Sequence, residues 1–162
     1  MTEGTAMNRI ERVREVVDDM ILDIKDNEER RCAYVHLYGV SQACGLLAMK
    51  RGENVELAII AGMLHDISTY ATMSSEDHAH KGADMARDIL KELNIFSKDE
   101  IEAVCTAIYH HSDKELEHGP LDEILKDADV MQHVLYNPLV EVKANEQERF
   151  CSLLEEMQIK EK

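Results

Sequence analysis

The sequence predicts an all-α protein, a single-domain helical bundle, on three observations. Alanine, leucine, methionine, glutamate and lysine recur, while two prolines, seven glycines and 4% aromatic residues leave little turn punctuation for a β architecture. Apolar residues return every three or four positions along most of the chain. The 162 residues suit one hydrophobic core, and no repeat, low-complexity tract or linker divides them.

Six to seven helices are expected. Ile10, Val13, Val17, Met20, Ile21 and Ile24 lie at helical spacing, which predicts a first helix over about 8–26. A second covers about 28–50 and stops at Gly52. The third, about 55–67, is apolar around most of its circumference, the pattern of a helix enclosed by others. A fourth opens in the serines and acids of "TMSSEDHAHKG" and continues to about Leu93. Ser97 and Glu100 suit a capping box at the head of a fifth, about 98–111. Pro120 fits the first turn of a sixth that ends near 137, after the charged loop "SDKELEHG". The last segment, about 144–158, carries Phe150, Leu153, Leu154 and Met157 on one stripe. It is expected to dock on the core or on a second copy of the chain, which leaves a homodimer open.

Composition excludes several functions. A formal net charge of −15 with no lysine–arginine cluster disfavours polymeric nucleic acid and anionic membrane surfaces. No apolar run approaches the roughly 20 residues needed to span a bilayer, and the opening segment is polar and charged, so the expected location is cytoplasmic. Cys32, Cys44, Cys105 and Cys151 are widely spaced without a C-x-x-C pair, and reduced, mostly buried thiols are expected.

The histidines carry the functional signal. His36 shares a stripe with Val40, Ala43 and Leu47, and His78 with Gly82, Met85, Ile89 and Leu93. His65 and Asp66 end the apolar run "AIIAGMLHD". His111 follows Val104 and Ile108, while His110 follows Ala103 and Ala107 on the adjoining flank. These five histidines are expected to face inward; His80, His118 and His133 are expected to face water. Burying five imidazoles and Asp66 without a common partner would be unfavourable by on the order of several kcal/mol, and a metal ion supplies that partner. Asp127 and Asp129 both flank an apolar stripe, and periodicity does not choose between them.

A histidine in an early helix, then "HD", then further histidines, then a late aspartate resembles the HD-domain superfamily of metal-dependent phosphohydrolases. The matching pieces are "YVHLYGV", "GMLHDIS", "HAHKGADMARDIL", "IEAVCTAIYHH" and "ILKDADVMQ", spanning about 31–137. The resemblance implies a helical bundle of the HD-domain type in which His36, His65, Asp66 and Asp129 ligate one metal, selecting Asp129 over Asp127. His78, His110 and His111 match the additional histidines of members that bind a second metal, with Asp66 bridging. It implies two divalent transition metals per chain, iron or manganese first, with nickel, zinc and magnesium as alternatives. The implied activity is hydrolysis of a phosphomonoester or phosphodiester bond in a small nucleotide or related phosphate ester by a metal-activated hydroxide, with His65 and Asp66 at the catalytic centre.

The chain departs from the family pattern in two places. Thr69 stands where "HDIGK" members carry lysine, and Lys81 and Lys114 are the candidate substitutes for its phosphate-contact or acid role. The segment "HHSDKELEHGP" lacks the features of the cyclic di-GMP phosphodiesterases. Two other readings follow from the same ligands: an HD-fold di-iron oxygenase, and a non-catalytic regulator that binds metal or nucleotide.

Overall fold

The computed structural model describes residues 8–159, so the outer ends of the expected 1–162 domain lie outside the described residues. Among the described residues there are eight α-helices and one 3-10 turn. The helices are α1 (Arg9–Leu22), α2 (Asn27–Arg51), α3 (Val55–Leu64), α4 (Ile67–Thr72), α5 (His78–Leu93), α6 (Lys98–His110), α7 (Pro120–Tyr136) and α8 (Gln147–Glu156), with the 3-10 turn at Ala144–Glu146.

Local chemistry sets most of the boundaries. The side chains of Asn8, Asp26 and Asn54 accept backbone N–H groups at the heads of α1, α2 and α3, and Ser97 with Glu100 forms the capping box of α6. Gly52 ends α2 in the left-handed conformation, φ 71°, which glycine adopts without steric penalty.

The expected third helix, about 55–67, stops at Leu64, and a short helix that was not expected, α4, follows it. The His65 ring donates from Nδ1 to the Gly62 carbonyl at 2.8 Å, the oxygen that the Asp66 N–H would use in a continuing helix. Asp66 takes φ −110°, ψ 18°, and α4 starts afresh behind it. The break lets consecutive residues, which a helix would turn 100° apart, face one cavity.

One apolar core runs through the bundle, from Val13, Val17 and Ile21 of α1 through α2 and α3 to Ile124, Leu125, Ala128 and Val130 of α7. Its centre is α3, where seven of ten residues are buried. Helices α2 and α3 touch at backbone distance: a Cβ built on Gly62 would lie 2.6 Å from the Ser41 Cα, so no side chain fits there. Helix α8 seats Leu153 in this same core, with Phe150 and Met157 packed beside it.

Arginine-centred networks tie the periphery. Arg9 of α1 pairs with Glu56 of α3 and Glu100 of α6. Arg51 of α2 and Arg149 of α8 converge on Asp127 of α7, at 2.6 and 2.8 Å. Two cysteine assignments need correcting: Cys44 and Cys105 are buried, but Cys32 is half-buried and Cys151 exposed, since both lie on outward flanks of their helices. No helix among the described residues is long and apolar enough to cross a membrane.

Candidate metal centre

Four helices and the break between two others deliver side chains to one cluster. Helix α2 supplies His36, the α3–α4 break His65 and Asp66, α5 His78, the end of α6 His111, and α7 Asp129 and His133. Donor atoms fall into three mutually close sets, each within 4.8 Å: His36, His65 and Asp66; His36, Asp129 and His133; and Asp66, His78 and His111.

The imidazoles are oriented alike. In each ring Nδ1 meets an oxygen: Gln132 Oε1 at 2.7 Å for His36, the Gly62 carbonyl for His65, the Ser75 carbonyl at 3.0 Å for His78, the Ile108 carbonyl at 2.6 Å for His111, and Glu146 Oε1 at 3.1 Å for His133. Carbonyl and carboxylate oxygens only accept, so Nδ1 carries the proton and Nε2 offers a lone pair to the centre. Histidines bound to metals are usually fixed in this way.

Asp66 faces the two sides of the cluster with different oxygens. Its Oδ2 lies 3.1 Å from His36 Nε2 and 3.3 Å from His65 Nε2, while Oδ1 lies 3.2 Å from His111 Nε2 and 3.6 Å from His78 Nε2. Oδ1 is buried without a hydrogen-bond partner. Its approach to His111 has the distance of a hydrogen bond but not the geometry, as befits two groups facing a common third partner.

Asp129 is similarly divided. Lys114 donates to Oδ2 at 2.6 Å, whereas Oδ1 is buried and unpartnered, 3.3 to 3.6 Å from the Nε2 atoms of His133, His36 and His65. A buried carboxylate oxygen without a donor is strongly unfavourable. Two of them, ringed by imidazole lone pairs, make a donor set suited to divalent cations, and the residues fit such an ion.

The electrostatics demand positive charge. Burial opposes ionisation of Asp66 and Asp129. His65, His111 and His36 around Asp66, and Lys114 and His65 around Asp129, nevertheless hold both carboxyls well below the usual carboxylate range. Burial likewise opposes protonation of His65, yet the two aspartates hold its pKa up at about 10. For His111 burial prevails and the imidazole is pushed below its ordinary value. A divalent cation meets the same demand and displaces the proton.

The expected ligands do not all converge. His36, His65, Asp66, His78, His111 and Asp129 meet, but His110 does not. One position earlier on α6, it is turned outward, where it hydrogen-bonds Asp122 Oδ1 at 2.6 Å and stacks on His118 at 3.8 Å. His133, expected to face water, takes a place in the cluster instead. The supposedly polar side of α7 has partners elsewhere in the chain: Glu146 of the 3-10 turn meets His133, and the loop before α7 receives the buried Lys126 at the Leu116 carbonyl and His118. The i,i+4 spacing of Asp129 and His133 was the available signal. Asp127 belongs to the arginine network.

The two lysines also part ways. Lys81 is exposed and donates to the Glu76 carbonyl, so it is no substitute for the family lysine. Lys114 is buried, holding Asp129 and the His111 carbonyl. It lines a cleft of about 320 Å³ over the cluster, together with Thr69, Ser75, Ser112, Lys143 and Asn145. The Thr69 hydroxyl is buried there without a hydrogen-bond partner.

A helical bundle that gathers imidazole nitrogens and carboxylate oxygens in this way is a helical scaffold able to hold divalent metal. The chain belongs to the HD-domain family, whose model matches residues 33–133. HD domains bind divalent metals, and the histidine–aspartate sets here are able to hold one. No curated protein matches the chain. Among solved structures the fold is similar to a predicted HD superfamily hydrolase from an uncultured Thermotogales bacterium, with a TM-score of 0.60 and 20% identity over 94% of this chain and 96% of that one.

Proposed function

We propose that the protein is a cytoplasmic metal-dependent phosphohydrolase, a phosphomonoesterase or phosphodiesterase acting on a small nucleotide or related phosphate ester. The observation that carries this reading is the Asp66 carboxylate, whose two oxygens face two separate pairs of histidine Nε2 atoms. That arrangement suits two ions sharing one carboxylate, with Asp129 completing the His36–His65 side. Bound divalent cations would supply acidity to an attacking water and positive charge for the phosphoryl oxygens.

The chain's own groups do the remaining work. His65 and Asp66 hold the reacting centre, while Lys114 steers Asp129 by binding its far oxygen. An ammonium has three N–H groups; two of those on Lys114 are engaged, which leaves one for a phosphate oxygen. Thr69, at the position where relatives of the lysine type place their cation, contributes a hydroxyl donor instead, and Lys143 adds charge at the rim. Water adds to phosphorus, the bond to the leaving oxygen breaks, and that oxygen departs as an alcohol with the proton.

Protein loaded separately with manganese, iron, nickel, zinc or magnesium and assayed on a phosphate-ester panel tests this. Ester hydrolysis, read as phosphate from monoesters or as phosphomonoester from diesters, that disappears in Asp66→Asn is expected. Oxygen consumption by the iron form without phosphate release would move the site to oxygenase chemistry, and tight nucleotide binding without product in every form would make it a regulator.

A further inference from the structure

We infer that the pocket behind His36 and His133 is the leaving-group subsite, and that it takes an uncharged, apolar organic group. This rests on the phosphohydrolase reading and narrows its substrate class. The pocket encloses about 350 Å³, within the range of small-molecule sites.

Its position ties it to the reacting centre. The His36 and His133 rings stack 5.5 Å apart and within 10° of parallel, and both line the pocket while their Nε2 atoms belong to the donor cluster. His133, Lys143 and Glu146 line the cleft over the cluster as well, so the two spaces adjoin through shared walls. A phosphate in the cleft and its substituent in the pocket would therefore meet at these histidines.

Its chemistry selects hydrocarbon. Cys32, Val35, Val134 and Val142 line it with apolar side chains beside the Tyr70 ring, and exposed Tyr136 and Val140 carry the apolar surface to the mouth. Two polar groups within it are already engaged, the Gln132 carbonyl oxygen by His36 and the Glu146 carboxylate by His133. Exposed Glu141 and Lys143 stand at the rim with opposite charges, so the mouth offers a second phosphate no net positive charge. A nucleobase would enter with ring nitrogens and exocyclic groups poorly matched, whereas alkyl or aryl groups gain by leaving water.

Primary alkyl phosphates from ethyl to hexyl share nearly the same leaving-group basicity, so their rates report binding. With manganese-loaded protein, kcat/KM is expected to rise about threefold per added methylene until the pocket fills. Val142→Trp, which narrows the pocket from a wall that supplies no donor atom, is expected to flatten that series, with the hexyl-to-ethyl ratio of kcat/KM falling towards one and metal content by mass spectrometry unchanged. Alkylphosphonate dissociation constants, measured by calorimetry, should follow the same chain-length trend.

A flat series in a protein that does hydrolyse ethyl phosphate would overturn the subsite and leave the phosphohydrolase reading intact. So would a nucleoside monophosphate turned over faster than every alkyl ester. If no ester is hydrolysed but phosphonate affinity climbs with chain length and the climb is lost in Val142→Trp, the apolar subsite stands and the phosphohydrolase reading fails. Phosphonate affinities independent of chain length would sink the subsite whatever the activity.

Discussion

Asp127 and Asp129 stand two residues apart on α7, both buried, and they live in opposite electrostatic regimes. Asp127 receives Arg149 on one oxygen and Arg51 on the other, so its charge is met by groups the fold itself provides. Asp129 is met by Lys114 on one oxygen only, and the second is left facing imidazole lone pairs. The difference separates a carboxylate that holds the fold together from one held ready for an outside cation. Buried charge alone does not mark the functional residue; incomplete compensation does.

The sharpest way to break that contrast is to neutralise each aspartate in turn. Asp129→Asn keeps an oxygen for Lys114 but weakens the donor set. It is expected to lower activity by at least about 10²-fold, since even the outer partners of metal ligands are worth about 10- to 100-fold. Metal content by mass spectrometry should fall with the activity, and the thermal midpoint of the metal-free protein should hold or rise. Asp127→Asn is expected to do the reverse, with bound metal retained and stability lowered by about 2–4 kcal/mol as two arginines lose their shared partner. Urea unfolding of the two metal-free variants measures this, and equal stability losses would erase the distinction.

Arg149 links the two regimes. Its guanidinium bonds Asp127 and Glu123, and also the Lys114 carbonyl at 2.9 Å. Arg149→Met is expected to destabilise by about 2–3 kcal/mol. Activity should drop a further few-fold at a temperature where the variant remains folded, because the loop carrying Lys114 loses an anchor. Activity unchanged under those conditions would show that the loop is held without it.

Acid sharpens the contrast from the structural side. Burial raises the Glu123 carboxyl, but Lys126 and Arg149 outweigh it and hold the pKa down at about 2, against 4.5 for an ordinary glutamate. The native form therefore binds fewer protons than the unfolded chain between those values. The stability this group contributes is full above about pH 4.5 and fades as pH falls toward 2. Acid unfolding of metal-free protein by circular dichroism should show that dependence, and Glu123→Gln should flatten it.

The smallest expected effect is at Thr69. Thr69→Val removes the unpartnered hydroxyl in the cleft and should raise KM about 3- to 10-fold, the worth of one hydrogen bond, with metal content unchanged. An unaltered KM would remove Thr69 from the phosphate contacts.

Much of the site was readable from helical stripes, because His36, His78 and His111 sit above or below core residues of their own helices. What escaped depends on contacts distant in sequence. His133 lies on a face that is polar in composition but meets Glu146 of the 3-10 turn, and the stripe of one helix contains no information about that partner. His110 and His111 share a helix end, where a turn of 100° decides between solvent and cluster, and the apolar flanks did not distinguish them. The arginines that separate Asp127 from Asp129 arrive from α2 and α8, so the choice rested on family resemblance. The α3–α4 break escaped because its cause, a ring hydrogen-bonding the Gly62 carbonyl, is a rotamer rather than a pattern.

Gly62 touches no candidate ligand ion, yet it acts as the gauge block of the assembly. With nothing between its Cα and the backbone at Ser41, two rigid rods rest at their minimum separation, and the same residue's carbonyl aims the His65 ring across the gap at His36. The aperture between those imidazoles is thereby set by backbone contact rather than by flexible side chains, from a position that itself contributes no donor atom to the cluster.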